Sequence, residues 1–310
     1  MTKDREWVVG IFAHNEERGI VHCLESLKPE AQKRPLTIHV LANGCTDNTE
    51  AVVRAYAQSH PGVHLARIAL GDKANAWNHF VHAIGPRCEL VFFMDGDVEA
   101  LPEALGALAR QLEADAHANA ISALPATGRS GRSATGSEVA ERGVWGGLYC
   151  LRGTFVAQLQ ERHLRLPVGL IGDDGLVGAF VKWDLDPRQP WDETRVARNT
   201  DPNARFRFSP LSPLNPAHVR LYLRRMVRYS IRGFQNRMLT RLLKEKGFTG
   251  LPDHVVELYR RYPDLCRLRF RGTNTLFDWL ALRRMHAQLK AVFQTSQDQP
   301  AANPREPMNS

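Results

Sequence analysis

Short apolar runs recur through the first 125 residues, and each is followed by a stretch whose apolar positions fall at helical spacing. Residues 7–13 (Trp-Val-Val-Gly-Ile-Phe-Ala) read as a buried strand, and 15–27 as a helix with Ile20, Cys23, Leu24 and Leu27 on one face. Further strands are predicted over 36–42, 63–68, 89–94 and 120–124, with helices over 47–58, 73–84 and 101–112 between them. Strands alternating with helices of about ten to thirteen residues predict an α/β fold built on a doubly wound, mostly parallel sheet. Ligands of such sheets lie at the carboxyl ends of the strands. That places Ala13-His14-Asn15-Glu16, Ala42-Asn43-Gly44 and Asp95-Gly96-Asp97 along one rim.

Beyond residue 125 the pattern changes. Residues 127–147 are rich in Gly, Ser and Arg and predict a mobile surface loop, while 184–216 hold six prolines and predict an irregular excursion. From Ala217 a mainly helical C-terminal extension is expected, with Val219, Leu223, Val227, Ile231, Phe234, Met238 and Leu242 at three- and four-residue steps. Arg220, Arg224, Arg228 and Arg232 form a basic stripe beside them. The expected organisation is an α/β unit over 1–215, a basic helical extension over 216–293 and a disordered polar tail over 294–310.

Charge sharpens that division. The net charge is +8, but seventeen Lys/Arg against five Asp/Glu between Arg220 and Lys290 leave +12 there and −4 elsewhere. The extension is thus expected to meet an anionic partner, and the acidic rim argues against nucleic acid. No uncharged apolar run approaches the ~18 residues of a membrane span, and the acidic start is a poor signal peptide. Cys23, Cys45, Cys88, Cys150 and Cys266 are scattered without metal spacing, as expected of free thiols in a cytoplasmic protein, and the basic extension is compatible with a peripheral place at the inner face of the membrane.

The sharpest candidate chemistry is Val91-Phe92-Phe93-Met94-Asp95-Gly96-Asp97, an apolar strand delivering two carboxylates to the rim. Asp-Gly is also a common turn. Converging acids in a partly dry cleft, however, cost several kcal/mol that a divalent cation with oxygen ligands offsets. A second acid pair, Asp173-Asp174, has a composition suited to a general base, though such a pair also caps helices.

The chain resembles the family 2 glycosyltransferases, inverting enzymes of the GT-A fold, in four ordered stretches. These are Ala13-His14-Asn15-Glu16-Glu17, Asn43-Gly44-Cys45-Thr46-Asp47-Asn48-Thr49, Gly71-Asp72-Lys73-Ala74-Asn75-Ala76-Trp77-Asn78 and Asp95-Gly96-Asp97. A fifth, Gly172-Asp173-Asp174-Gly175-Leu176, is similar to the family's acidic pair near the acceptor. The resemblance implies sugar transfer from a nucleotide diphosphate sugar to a saccharide, lipid or other hydroxyl acceptor, assisted by Mg²⁺ or Mn²⁺. It implies donor contacts from Ala13, Asn15, Glu16, Asn43, Asp47, Lys73, Asn75 and Asp95. It also implies Asp97 as direct metal ligand, with Asp95 on the ribose or on the metal through water. Of the acid pair, Asp174 is implied as base beside Asp173. Arg225, Arg228 and Tyr229 are a degraded likeness of the family's Gln-x-x-Arg-Trp motif, which lies near diphosphate or acceptor. Ala42 stands where the family often has an Asp that reads uracil, and Phe12 where it often has Pro, so the donor base stays open. Two alternatives carry less support: a nucleotidyltransferase, which lacks its Gly-rich basic loop after the first strand, and a non-catalytic module that binds anionic membrane or nucleic acid.

Overall fold

The computed structural model describes residues 6–126, 142–208, 216–268, 270–272 and 274–297. The first strand, β1 (Trp7–Ala13), is buried at every position, as its unbroken apolar sequence requires. After it come α1 (Ile20–Ser26), the single turn α2 (Lys28–Ala31), β2 (Leu36–Asn43), α3 (Thr49–Gln58) and β3 (Val63–Ile68). Helix α4 (Lys73–Asn78) continues as a π-helical stretch over His79–Ile84 before β4 (Leu90–Asp95). The short strand β5 (Val98–Ala100), helix α5 (Ala104–Ala114), β6 (Ala120–Ser122) and β7 (Leu124–Pro125) complete the first half.

The main sheet has six strands in the order β3-β2-β1-β4-β8-β6, where β8 is Leu148–Arg152. Strands β1 to β4 pair in parallel, and β8 is inserted antiparallel to both β4 and β6. The expected doubly wound, mostly parallel sheet is therefore present, with one antiparallel insertion that the sequence pattern did not announce. Strand β8 follows a polar Gly/Ser/Arg-rich segment and spans five residues, too few for its periodicity to stand out. Side chains of β4 alternate between two cores. Val91 and Phe93 join Trp77, Phe80 and Tyr149 on one face, and Phe92 and Met94 join Trp7 and Ile11 on the other. Phe93 stacks on Tyr149 with ring centroids 4.7 Å apart and meets Phe80 edge-on at 5.4 Å. Burying each such aromatic is worth about 1.5–3 kcal/mol, which locks the strand that carries Asp95.

Several boundaries differ from the sequence pattern. The first helix starts at Ile20 and not at Asn15, because Asn15 adopts a left-handed backbone (φ 58°) and turns the chain away from helical geometry. The expected strand over 120–124 divides: Ala120–Ser122 stays in the main sheet, while Leu124–Pro125 joins a small second sheet of order β5-β9-β7. Strand β9 (Arg205–Phe208) lies inside the expected irregular excursion, a correction that its pairing with Val98–Ala100 and Leu124–Pro125 reveals. The expected loop falls at 127–141 outside the described residues, and only its end at 142–147 is seen.

Helix α6 (Gly153–Glu161) packs beneath the sheet, and α7 (Asp173–Lys182) begins at the second acid pair. The extension consists of α8 (Pro216–Lys246), α9 (Val256–Arg261) and α10 (Asn274–Gln297). On α8, Val227, Ile231, Phe234, Met238 and Leu242 are buried as expected, whereas Val219 and Leu223 are 42% and 48% exposed. The first turns of α8 project past the body of the protein. Helix α10 runs through Gln297, beyond the expected start of the tail at 294; residues 298–310 lie outside the described set. All five cysteines are free thiols, and among the described residues no helix is long and apolar enough to cross a membrane.

Candidate active site

The rim is assembled by hydrogen bonds between neighbouring strand ends. Asn43, at the end of β2, is buried and donates its amide to Ala13 O at 2.8 Å, tying β2 to β1. Its own carbonyl is 2.7 Å from His14 Nδ1. The left-handed turn at Asn15 brings its Oδ1 to the Thr46 N–H at 2.7 Å. Asp47 accepts from the Thr49 hydroxyl (2.6 Å) and N–H (3.0 Å) with one oxygen and from the Glu17 N–H (3.0 Å) with the other. Burial works against the charge on Asp47, but these bonds outweigh it and hold its carboxyl below the usual range. Asp47 thus fastens the two rim loops together as well as serving the start of α3.

Asp95 and Asp97 leave β4 through a turn wedged against β1. The Gly96 N–H donates to Phe12 O at 2.9 Å, and a Cβ on Gly96 would lie only 3.0 Å from that oxygen, so the turn needs glycine to approach so closely. Asp95 is half-buried and Asp97 exposed. Burial, then the charge of Asp97, push Asp95 up to about 6 against the opposing pull of Lys73. Glu16 is likewise pushed up to about 7 by burial and by Asp97, Asp47 and Asp95. Three mutually repelling carboxylates at the adjacent ends of β1 and β4 suit a hard cation with oxygen ligands. Among the described residues no group of three or more His, Cys, Asp or Glu forms a metal cage by itself. The fit is to a cation held by one or two carboxylates that takes its remaining ligands from a bound diphosphate and water.

Lys73 joins the two acid sets. Its ammonium is 2.5 Å from Asp95 Oδ1, 3.6 Å from Asp173 Oδ2 and 3.5 Å from Gly146 O. Burial disfavours its charge, but Asp173 and Asp95 override this and raise its proton affinity, so it stays an ammonium. Its position is set by Asp72, which caps α4 through the Asn75 N–H (2.8 Å) and accepts from Gly169 N–H (3.0 Å) in the loop before the acid pair. The contact seen for Asn75 is this backbone one. Asp173 is buried, and its Oδ2 has no hydrogen-bond partner. Asp174 accepts from the Gly175 N–H at 2.9 Å and pairs with Arg232 at 3.2 Å. Burial raises its proton affinity, Arg232 lowers it and Asp173 raises it, with a net increase.

A profile of the family described as Glycosyl transferase family 2 matches residues 8–166, just over half of the 310. The chain belongs to glycosyl transferase family 2. It is a glycosyltransferase, and the nucleotidyltransferase and binding-module alternatives are not favoured. Among solved structures it is similar to the mannosyltransferase PcManGT from Pyrobaculum calidifontis, solved in complex with GDP-Man and Mn²⁺. The TM-score is 0.58 at 19% identity, over 96% of this chain and 80% of that one. That likeness supports the GT-A fold. S. aureus TarS 1-349 also matches, at TM-score 0.47 and 14% identity over 94% of this chain and 92% of that one. No curated protein sequence matches.

Of the residues expected from sequence, Ala13, Asn15, Glu16, Asn43, Asp47, Lys73, Asn75, Asp95, Asp97, Asp173 and Asp174 fall on the rim or the facing acid-pair loop. Arg225 is half-buried on α8, and Arg228 and Tyr229 are exposed, Tyr229 at 60%. The α8 residue that reaches Asp174 is Arg232, one turn further on. It was legible only as a member of the basic stripe. Asp72 was also missed as a positioning residue, although Gly-Asp before a helical pattern is an N-cap signal.

Proposed function

We propose that this glycosyltransferase inverts configuration while moving a sugar from a nucleotide diphosphate sugar to an acceptor hydroxyl. The carrying observation is Lys73, whose ammonium lies between Asp95 and Asp173 and so brings the rim acids and the acid pair into one cleft. The nucleoside is read by the loops at Asn15–Glu16 and Asn43–Asp47, and the diphosphate lies beside Lys73 at the start of α4. Asp97, with Asp95, holds Mg²⁺ or Mn²⁺, which when bound neutralises charge on the departing diphosphate. Asp174 takes the proton from the acceptor hydroxyl, whose oxygen forms a bond to the anomeric carbon as the bond to the diphosphate oxygen breaks. Asp173 Oδ2, which faces Lys73 at 3.6 Å but accepts no hydrogen bond, has capacity left for a hydroxyl of donor or acceptor.

The acceptor is a saccharide, lipid or other hydroxyl compound, and the reading includes peripheral contact with an anionic membrane on the cytoplasmic side. Exposed Val219, Leu221, Tyr222 and Leu223 interleave with Arg220 and Arg224 on the projecting turns of α8, a composition suited to a headgroup layer. A thermal-shift panel of UDP-, GDP- and dTDP-sugars with and without Mn²⁺ tests the core of the proposal. Metal-dependent stabilisation by one nucleotide class, abolished in Asp97→Ala, is expected. Equal stabilisation of wild type and Asp97→Ala would refute the metal assignment.

A further inference from the structure

Leu221, Arg225, Arg228, Arg232 and Gln235 are spaced by four, three, four and three residues, so all five lie on one face of α8. The C-terminal end of that face grips the acid-pair loop. Gln235 is fully buried, accepts from the Ile171 N–H at 2.8 Å and donates to Gly169 O at 3.0 Å. One turn earlier the Arg232 guanidinium lies across Gly172, where a Cβ would come within 2.3 Å of Nε, and reaches Asp174 with one nitrogen. The side chain of Arg232 is 35% exposed, and its guanidinium has more N–H donors than the contact with Asp174 uses. Arg228 and then Arg225 follow along the same face, and among the described residues neither is paired with a carboxylate. Like charges at three- and four-residue spacing repel. A line of three guanidiniums that meets, among the described residues, the single acid Asp174 therefore carries repulsion that an anion relieves. The planar fork of guanidinium matches a phosphate in a bidentate way.

We propose that the acceptor carries a phosphate near the hydroxyl it offers, and that Arg228, Arg225 and the outward edge of Arg232 bind that phosphate while the hydroxyl rests against Asp174. This deepens the reading of Asp174 as base and rests on it. A phosphate that shares the charge of Arg232 also leaves Asp174 a stronger base when the acceptor arrives. The phosphate belongs either to a small soluble compound or to a lipid headgroup, and the exposed Leu221 at the far end of the stripe suits a lipid's apolar part.

The test compares wild type with Arg225→Ala/Arg228→Ala by titration calorimetry and vesicle co-sedimentation, with Mn²⁺ and a nucleoside diphosphate present. Arg260→Ala/Arg267→Ala removes the same charge elsewhere in the basic region and serves as control. The probes are glycerol 3-phosphate against glycerol, and phosphatidylglycerol against phosphatidylcholine vesicles. Binding of glycerol 3-phosphate but not glycerol, weakened roughly tenfold or more in the first variant and unchanged in the control, supports a soluble source. Binding of phosphatidylglycerol vesicles alone, with the same loss, supports a lipid source. The proposal is overturned if neither phosphate probe binds wild type, or if the two double variants weaken binding equally. Metal-dependent binding of a nucleotide sugar, measured alongside, is expected to be intact in both variants. Its absence in wild type would count against the transferase reading, not against phosphate binding by the stripe.

Discussion

The donor rim and the acid-pair loop face each other across Lys73, but they are held in place by different means. The rim is tied by bonds between residues about thirty apart, the ends of consecutive parallel strands: Asn43 to Ala13, Thr46 to Asn15 and Glu17 to Asp47. The acid-pair loop is held from far along the chain, by Gln235 sixty-four residues from Ile171 and by Asp72 ninety-seven from Gly169. Most rim polar groups already spend their bonds on one another, whereas Asp173 Oδ2 meets Lys73 without accepting a hydrogen bond and Asp174 faces a half-exposed arginine. A rim tied to itself is held by the sheet alone, while the position of the loop depends on the extension.

The largest expected effect separates the two sides. Asp174→Asn should lower kcat by about 10²–10⁴-fold, the usual worth of a general base, and leave metal-dependent donor binding unchanged. A parallel loss of donor binding would show that the acid pair is not confined to the acceptor side.

Substitutions that attack each scaffold come next. Asn43→Ala leaves the Ala13 carbonyl with only the Cys45 thiol, at 3.6 Å, as a side-chain donor and should cost about 1–3 kcal/mol of stability in denaturant unfolding, with weaker donor binding. Gly172→Ala should cost a similar amount, about 1–3 kcal/mol, because Gly172 is left-handed (φ 86°) and a Cβ would strike Arg232. Here the impairment should fall on acceptor turnover while donor binding persists. Were both variants to impair the same step, the division between rim and loop would fail.

The smallest effect is in pH. The carboxyls of Glu16 and Asp95 are raised from 4.5 to about 7 and from 3.8 to about 6. Both bind their proton more tightly in the folded state, so their contribution favours folding at low pH and is lost as pH rises from about 4 to about 7. Relative to Glu16→Gln, wild type without metal should lose about 2 °C in Tm between pH 5 and pH 8. Mn²⁺ at pH 8 should reverse the loss. A wild-type curve parallel to that of Glu16→Gln would show that burial and the neighbouring acids do not raise the Glu16 carboxyl.

How far the sequence could be read follows the same division. Asp95-Gly96-Asp97, Asn43 to Asp47 and Asn15-Glu16 were legible because each lies directly after an apolar strand, and the parallel alternation brings strand ends to one rim. The helix predicted from Asn15 was wrong at its start because Asn15 spends its side chain on Thr46, a partner invisible in local periodicity. Strands β8 and β9 escaped notice because short strands take their identity from the strand they pair with.

By itself, the sequence determined the order of strands and helices as far as Asp95, the apolar stripe of α8 from Val227 onward and the position of the rim acids, since these depend on spacing within a few residues. Only the tertiary structure decided that Lys73 stands between Asp95 and Asp173, that Arg232 and not Arg228 meets Asp174, and that α8 projects its first turns outward. Those contacts join segments about twenty to one hundred residues apart, and closing such loops leaves no mark on local hydrophobic period. The packed cores on both faces of the sheet set which distant side chains meet.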